Sequence, residues 1–136
     1  MSKIVALDFG TKRIGVAMTD DLNIIASALD TVSNKNILIF LKNLTSKNKI
    51  DTIVIGKPLQ RNNQPSAVES EILKFIKILK NNFPLIKLDR YDERFTSVIA
   101  KKVILESGIN KTKRRNKSLV DKISATIILQ SYLEKI

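Results

Sequence analysis

The sequence predicts an α/β fold in which a five-stranded mixed sheet is flanked by helices. Apolar stretches joined by short turns fill the first part of the chain, and helical and strand patterns alternate through the remainder. Strands joined by short turns run antiparallel, whereas strands linked through helices run parallel. The length of 136 residues suits one hydrophobic core, so we expect a single domain over residues 1–136.

The first three strands are predicted to form an antiparallel meander. Residues 3–9 are a continuous apolar stretch, residues 14–19 are a second, and residues 24–32 are a third of mixed character. Only short turns separate them, which is typical of neighbouring antiparallel strands.

The second part of the chain alternates helices with strands. Asn34 is a suitable N-cap for a helix whose apolar stripe is Ile37, Leu38, Leu41 and Leu44. The elements that follow are a strand at 51–56, a loop at 57–65, a helix capped by Ser66, a strand at 86–93, a helix at 96–107 ended by Gly108, and a last helix from Ser118.

Composition restricts the chemistry and the location. The chain has no Cys and no His, which excludes disulfides, thiolate catalysis and imidazole as a base or ligand. Catalysis must therefore use carboxylates, Lys, hydroxyl groups or a metal held by oxygen atoms. No apolar run approaches the roughly 20 residues that span a bilayer, and no secretory signal is recognisable, so we expect a cytoplasmic protein without membrane contact.

The charge balance indicates a polyanionic partner. The chain has 24 Lys and Arg against 13 Asp and Glu, a formal net charge of +11. A basic protein gains affinity for nucleic acid by releasing condensed counterions from the phosphates. A compositional bias toward Lys, Ile and Asn is the alternative explanation.

Two acidic residues end predicted interior strands. Asp8 follows the apolar residues 4–7, which places it at the carboxyl end of a strand, where sheets of this class hold ligands. Glu93 ends the strand before the predicted helix at 96–107. A turn that Asp8 caps, and a favourable interaction of Glu93 with a helix dipole, are the structural alternatives.

A third acidic residue, Asp121, lies on the apolar stripe of the last helix. It is four, seven and eleven residues before Ala125, Ile128 and Tyr132. A lone carboxylate facing a core is costly, and a divalent cation would remove that cost. The alternative is that the start of this helix frays and lets the Asp121 carboxylate turn outward into solvent. If Asp8, Glu93 and Asp121 converge, their oxygens suit Mg²⁺ or Mn²⁺, and two such ions about 4 Å apart would support phosphodiester hydrolysis.

Four stretches in order resemble the motifs of the YqgF/RuvX family, described as Holliday junction resolvases and as pre-16S ribosomal RNA nucleases. The stretches are "ALDFGTKRIGVAMTD", "GKPL", "DERFTS" and "VDKISATIILQSYL". The resemblance implies an RNase H-like fold and a carboxylate-metal nuclease site in which Asp8, Glu93 and Asp121 take the acidic positions. Asp92 is an adjacent candidate, and strand alternation lets only one of Asp92 and Glu93 face the site. Lys57 departs from the Leu usual in the family.

Basic residues near these acids are expected to hold the phosphate backbone, with a solvated loop as the alternative for residues 111–117. They are Lys12, Arg13, Arg94, Lys111, Lys113, Arg114, Arg115 and Lys117. Few aromatic residues are available for base stacking, which favours recognition of backbone and shape.

The sequence thus favours a metal-dependent endonuclease, and the resemblance points to 5′-end maturation of pre-16S rRNA. Cleavage of four-way DNA junctions is the alternative, and it would require a dimer; we expect a monomer or a weak homodimer. An actin-like ATPase or sugar kinase would need a second domain. A non-catalytic RNA-binding factor in ribosome assembly would use the same basic surface without metal dependence.

Overall fold

The computed structural model describes residues 2–10, 12–57, 68–92 and 117–135, with the side chains of the last segment from residue 123 to residue 134. Its elements, in chain order, are β1 Lys3–Phe9, β2 Arg13–Thr19, β3 Ala26–Ser33, α1 Ile37–Lys47, β4 Ile50–Lys57, α2 Glu69–Asn82, β5 Lys87–Asp92 and α3 Lys117–Lys135. The predicted cap Ser66 and the predicted helix at 96–107 lie outside the described residues.

The five strands form one mixed sheet in the order β3-β2-β1-β4-β5, which confirms the predicted sheet. Strand β2 runs antiparallel to both β1 and β3, whereas β4 runs parallel to both β1 and β5. Strands β1, β3, β4 and β5 therefore all finish at the same end of the sheet, which we call the carboxyl end.

Helices cover both faces of the sheet, and strand alternation divides the core between them. Val5 and Leu7 of β1 belong to a core cluster that includes Ile37 of α1 and Ile72 of α2. Ile4 and Ala6, on the other face, pack with Ala125, Ile128 and Leu129 of α3. Because both faces are buried, β1 reads as a continuous apolar run rather than as an alternating one.

Strand β3 begins two residues later than predicted, because the Asp20 side chain binds the backbone amides of the two residues before the strand. Its Oδ1 accepts hydrogen bonds from the amides of Ile24 and Ile25, at 2.8 and 3.0 Å. These two bonds lower the pKa of Asp20. The turn also uses Asn23 with a positive φ of 56°. Apolar sequence alone suggested a strand from residue 24, but the amides there serve the turn instead.

Helix α1 begins at Ile37 with Asn36 as its N-cap, so the prediction that Asn34 caps the helix is wrong. The Asn34 side chain is used elsewhere, in a contact with the β1–β2 turn. In the described segments, no helix is long and apolar enough to cross a bilayer.

Candidate active site

Asp8 lies at the carboxyl end of the central strand β1, on the face that α3 covers. It shares this face with Ile4 and Ala6, and its side chain is half-buried. Gly15 of β2 is its register partner on one side. On the other side Gly56 follows Ile55, the β4 partner of Leu7. Neither of these two neighbouring strand positions therefore places a side chain beside the Asp8 carboxylate.

Asp121 belongs to α3, the helix that packs over the face of the sheet that carries Asp8. The predicted stripe is confirmed for Ala125, Ile128 and Tyr132, which are buried against the sheet. Asp121 lies one helical turn before Ala125, inside α3. Its side chain lies outside the described residues, so its approach to Asp8 stays a prediction.

A hydrogen bond between α3 and β5 fixes the helix along the sheet. The Tyr132 hydroxyl donates to Oδ2 of Asp89 at 2.7 Å. Burial, followed by this bond to the Asp89 carboxylate, raises the pKa of Tyr132 to about 12. The contact adds a polar link between α3 and β5 to their apolar packing, and the sequence does not predict it because the partners are 43 residues apart.

The two faces of β5 separate Asp92 from Asp8. Leu88 packs in the core beneath α1 and α2, and Arg90 bonds to Glu69 of α2. Asp92 has the same parity and therefore lies on that face, opposite to Asp8. Glu93 and Arg94 lie outside the described residues.

Arg90 joins the carboxyl ends of β4 and β5 to the start of α2. Its guanidinium donates to both carboxylate oxygens of Glu69, at 2.8 and 3.2 Å. It also donates to the carbonyls of Ile55 and Gly56, at 3.2 and 3.0 Å. Sequence reasoning missed this pair; the signal was a cation inside a predicted interior strand, which must find a partner when it is buried.

The β1–β2 turn presents Lys12 and Arg13 directly after Asp8. The Gly10 amide donates to the Arg13 carbonyl at 3.0 Å. A Cβ at Gly10 would lie 2.6 Å from that carbonyl oxygen, so the turn requires glycine. Lys12 is exposed and Arg13 is half-buried.

Asn34, beyond the end of β3, fastens this turn. Its Nδ2 donates to the Gly10 carbonyl at 2.9 Å, and its backbone amide donates to the Lys12 carbonyl at 3.2 Å. The turn beside Asp8 is therefore also held from the segment that follows β3, in addition to the two strands that flank it in the chain. Sequence reasoning assigned Asn34 to a helix cap, since the bond to Gly10 spans 24 residues.

The other predicted phosphate contacts are not described by the structure. Arg94, Lys111, Lys113, Arg114 and Arg115 lie outside the described residues, and Lys117 begins α3 with its side chain likewise outside them. Within the described segments, no group of three or more acidic residues could hold a metal ion. Glu93 and the Asp121 side chain lie outside those segments.

A five-stranded mixed sheet with a carboxylate at the end of its central strand, covered by a helix that carries another, is the architecture of RNase H-like nucleases. The family model of RuvX, Holliday junction resolvase, matches residues 2–135. The chain therefore belongs to the RuvX family, and the predicted resemblance is confirmed.

Curated relatives agree with this assignment over almost their whole length. A protein of Flavobacterium psychrophilum is 46% identical over 135 residues, covering 99% of this chain and 98% of the relative. One of Bacteroides thetaiotaomicron is 48% identical over 134 residues, covering 98% and 97%. Both carry the name "Putative pre-16S rRNA nuclease".

Solved structures with similar folds confirm the RNase H-like architecture. RuvC of T. thermophilus, in complex with a Holliday junction substrate, has a TM-score of 0.61 at 12% identity and covers 99% of this chain and 95% of its own. Fowlpox virus resolvase, in complex with Holliday junction DNA, has a TM-score of 0.56 at 18% identity and covers 98% and 97%. At these identities the likeness establishes the fold alone.

Family membership defines the class of reaction. The relatives are named as nucleases, which are hydrolases that act on ester bonds, and the predicted enzyme class is confirmed. A resolvase-like nuclease family implies a nucleic acid partner and, in general, a divalent metal.

Proposed function

We propose that this chain is a single-domain, metal-dependent endonuclease, spanning residues 1–136, that matures the 5′ end of pre-16S rRNA in the cytoplasm. One observation carries the proposal: a half-buried carboxylate, Asp8, lies near the carboxyl end of the central strand, beside a glycine of each neighbouring strand, on the face covered by α3. The curated relatives, named for pre-16S rRNA, supply the substrate.

Asp8, Glu93 and Asp121 are the proposed metal ligands. The position of Asp92 on the opposite face favours Glu93 as the β5 contribution, and the buried stripe of α3 leads toward Asp121. Carboxylates are hard oxygen donors, and the chain has no His or Cys to add a softer ligand. The set therefore fits Mg²⁺ or Mn²⁺. Two such ions would lower the pKa of a water molecule and neutralise charge on the phosphate.

The basic residues bind and orient the substrate backbone. Lys12 and Arg13 contact phosphates beside Asp8, on a turn that Gly10 and Asn34 hold in place. Arg94 and the basic residues from 111 to 117 extend the same surface, and any of these cations stabilises charge that develops on the reacting phosphate. Water attacks the phosphorus atom, and the bond to the 3′ oxygen breaks, which leaves a 3′-hydroxyl and a 5′-phosphate.

The test is a cleavage assay on two substrates side by side. An RNA that spans the 5′ junction of pre-16S rRNA and a four-way DNA junction are incubated with Mg²⁺, with Mn²⁺ and with EDTA. We expect metal-dependent cleavage of the RNA by a monomer or weak dimer. Preference for the DNA junction, cut symmetrically by a stable dimer, would favour the resolvase alternative.

Asp8→Asn tests the site itself, with Asp92→Asn as its matched control. Removal of the Asp8 charge should lower cleavage by at least about 10²-fold and leave RNA affinity unchanged or higher, because a negative charge near the phosphate is lost. Asp92→Asn removes the same charge from the opposite face and should retain most of the activity. Full activity of Asp8→Asn with Mg²⁺ present would contradict the assignment. RNA binding that ignores EDTA, without cleavage of any substrate, would indicate a non-catalytic binding factor.

A further inference from the structure

We propose that Lys35 is a phosphate-binding residue that acts together with Lys12 on the nucleic acid backbone beside Asp8. The inference rests on the proposed function only in taking nucleic acid as the partner. It adds a contact from the β3–α1 connection, which belongs to none of the sequence motifs that mark the site.

The sheet places Lys35 at the same end as Asp8. Ser33, the last residue of β3, is the register partner of Arg13, the first residue of β2. Lys35 follows two residues later, beyond Asn34. Because β3 runs in the same direction as β1, this connection and the β1–β2 turn both lie at the carboxyl end of the sheet.

Hydrogen bonds hold the backbones of the two lysines near each other. The amide of Asn34 donates to the carbonyl of Lys12 at 3.2 Å. Lys35 is the next residue in the chain after Asn34, so its backbone lies close to that of Lys12. The Asn34 side chain adds the bond to Gly10 at 2.9 Å. A backbone that is already hydrogen-bonded in place favours binding, since mainly the two lysine side chains must then be ordered when phosphate arrives.

The charge at this position is available to a ligand. Both Lys12 and Lys35 are exposed. In the part of the chain that the structure describes, neither ammonium forms an ion pair with a carboxylate. The first turn of α1, which starts two residues after Lys35, contains no acidic residue that would offset the positive end of the helix dipole. An unpaired ammonium suits phosphate oxygens, which position a nucleic acid without reading its sequence.

The salt dependence of binding tests the proposal, with Lys42→Gln as the matched control. Lys42 is an exposed lysine of α1, on the face of the sheet opposite to Asp8, and its loss changes the net charge by the same amount. Fluorescence anisotropy measures the Kd of a labelled RNA that spans the 5′ junction of pre-16S rRNA, in EDTA, over a range of KCl concentrations. Lys35→Gln should reduce the slope of log affinity against log salt by about 0.7 to 0.9 and weaken binding several-fold, as expected for one lost phosphate contact. Lys42→Gln should leave the slope at its wild-type value.

The outcomes separate this proposal from the proposed function. An unchanged slope in Lys35→Gln, or an equal loss in Lys42→Gln, would overturn the role of Lys35 even if cleavage by the wild type is confirmed. A reduced slope in Lys35→Gln alone would support it, even if the wild type cleaved neither substrate and the proposed reaction failed.

Discussion

The Arg90–Glu69 ion pair should be a principal determinant of stability at the carboxyl end of the sheet, and Glu69→Gln tests it. Glu69 is 7% exposed, and the Arg90 side chain is 24% exposed. Glutamine keeps one neutral acceptor but loses one of the two charge-assisted bonds, each worth about 1.5 to 3 kcal/mol. The partial exposure of Arg90 lets water screen the remaining cation, so the cost should stay below the roughly 3 to 5 kcal/mol of a fully buried pair. We expect a loss of about 2 kcal/mol.

Urea unfolding followed by far-UV circular dichroism measures this loss, and Glu71→Gln is the control. Glu71 lies in the same first turn of α2, but it is exposed. Its substitution removes the same charge from the helix start and should cost less than about 0.5 kcal/mol. For a chain of this size Glu69→Gln should also lower Tm by about 8 °C. The reasoning is refuted if the free energies of unfolding of the two variants are equal.

Two further predictions concern the other tertiary contacts of the site. In the folded wild type the pKa of Tyr132 is about 12, above its ordinary value of 10. The contribution of this group to stability is therefore constant below pH 10 and falls as the pH rises toward 12. Tyr132→Phe removes the group, so its stability should depend less on pH over this range. Between pH 9 and pH 11 the wild type should lose about 1 kcal/mol more than Tyr132→Phe in urea unfolding, and parallel losses would contradict the raised pKa. Gly10→Ala should destabilise the chain by about 1 to 3 kcal/mol, because its Cβ would meet the Arg13 carbonyl oxygen at 2.6 Å and force the β1–β2 turn to move. Thermal unfolding checks this, and an unchanged Tm would show that the turn tolerates a Cβ.

Most of the secondary structure could be predicted from the sequence because burial leaves a local pattern. The continuous apolar runs of β1 and β4 and the apolar stripe of α2 record which faces are covered. The predicted boundaries were wrong where a polar side chain could form hydrogen bonds with more than one backbone segment. Asp20 binds the amides of Ile24 and Ile25 and so delays β3, and Asn34 binds Gly10 rather than the start of α1. Such choices depend on the geometry of the turn, which periodicity does not record.

The sequence by itself determined the chemistry that is available and the positions that could carry it. Without Cys or His, only oxygen ligands and cations remain for catalysis. The end of an apolar strand indicates Asp8, and helical spacing from Ala125 indicates Asp121. The tertiary structure alone decided which face of the sheet α3 covers, and the register of β1, β4 and β5 that puts Asp8 and Asp92 on opposite faces. It also joined Tyr132 to Asp89 and Arg90 to Glu69, across 43 and 21 residues. The physical reason is that alternation and helical spacing are local, whereas the face that a helix buries depends on packing between distant parts of the chain.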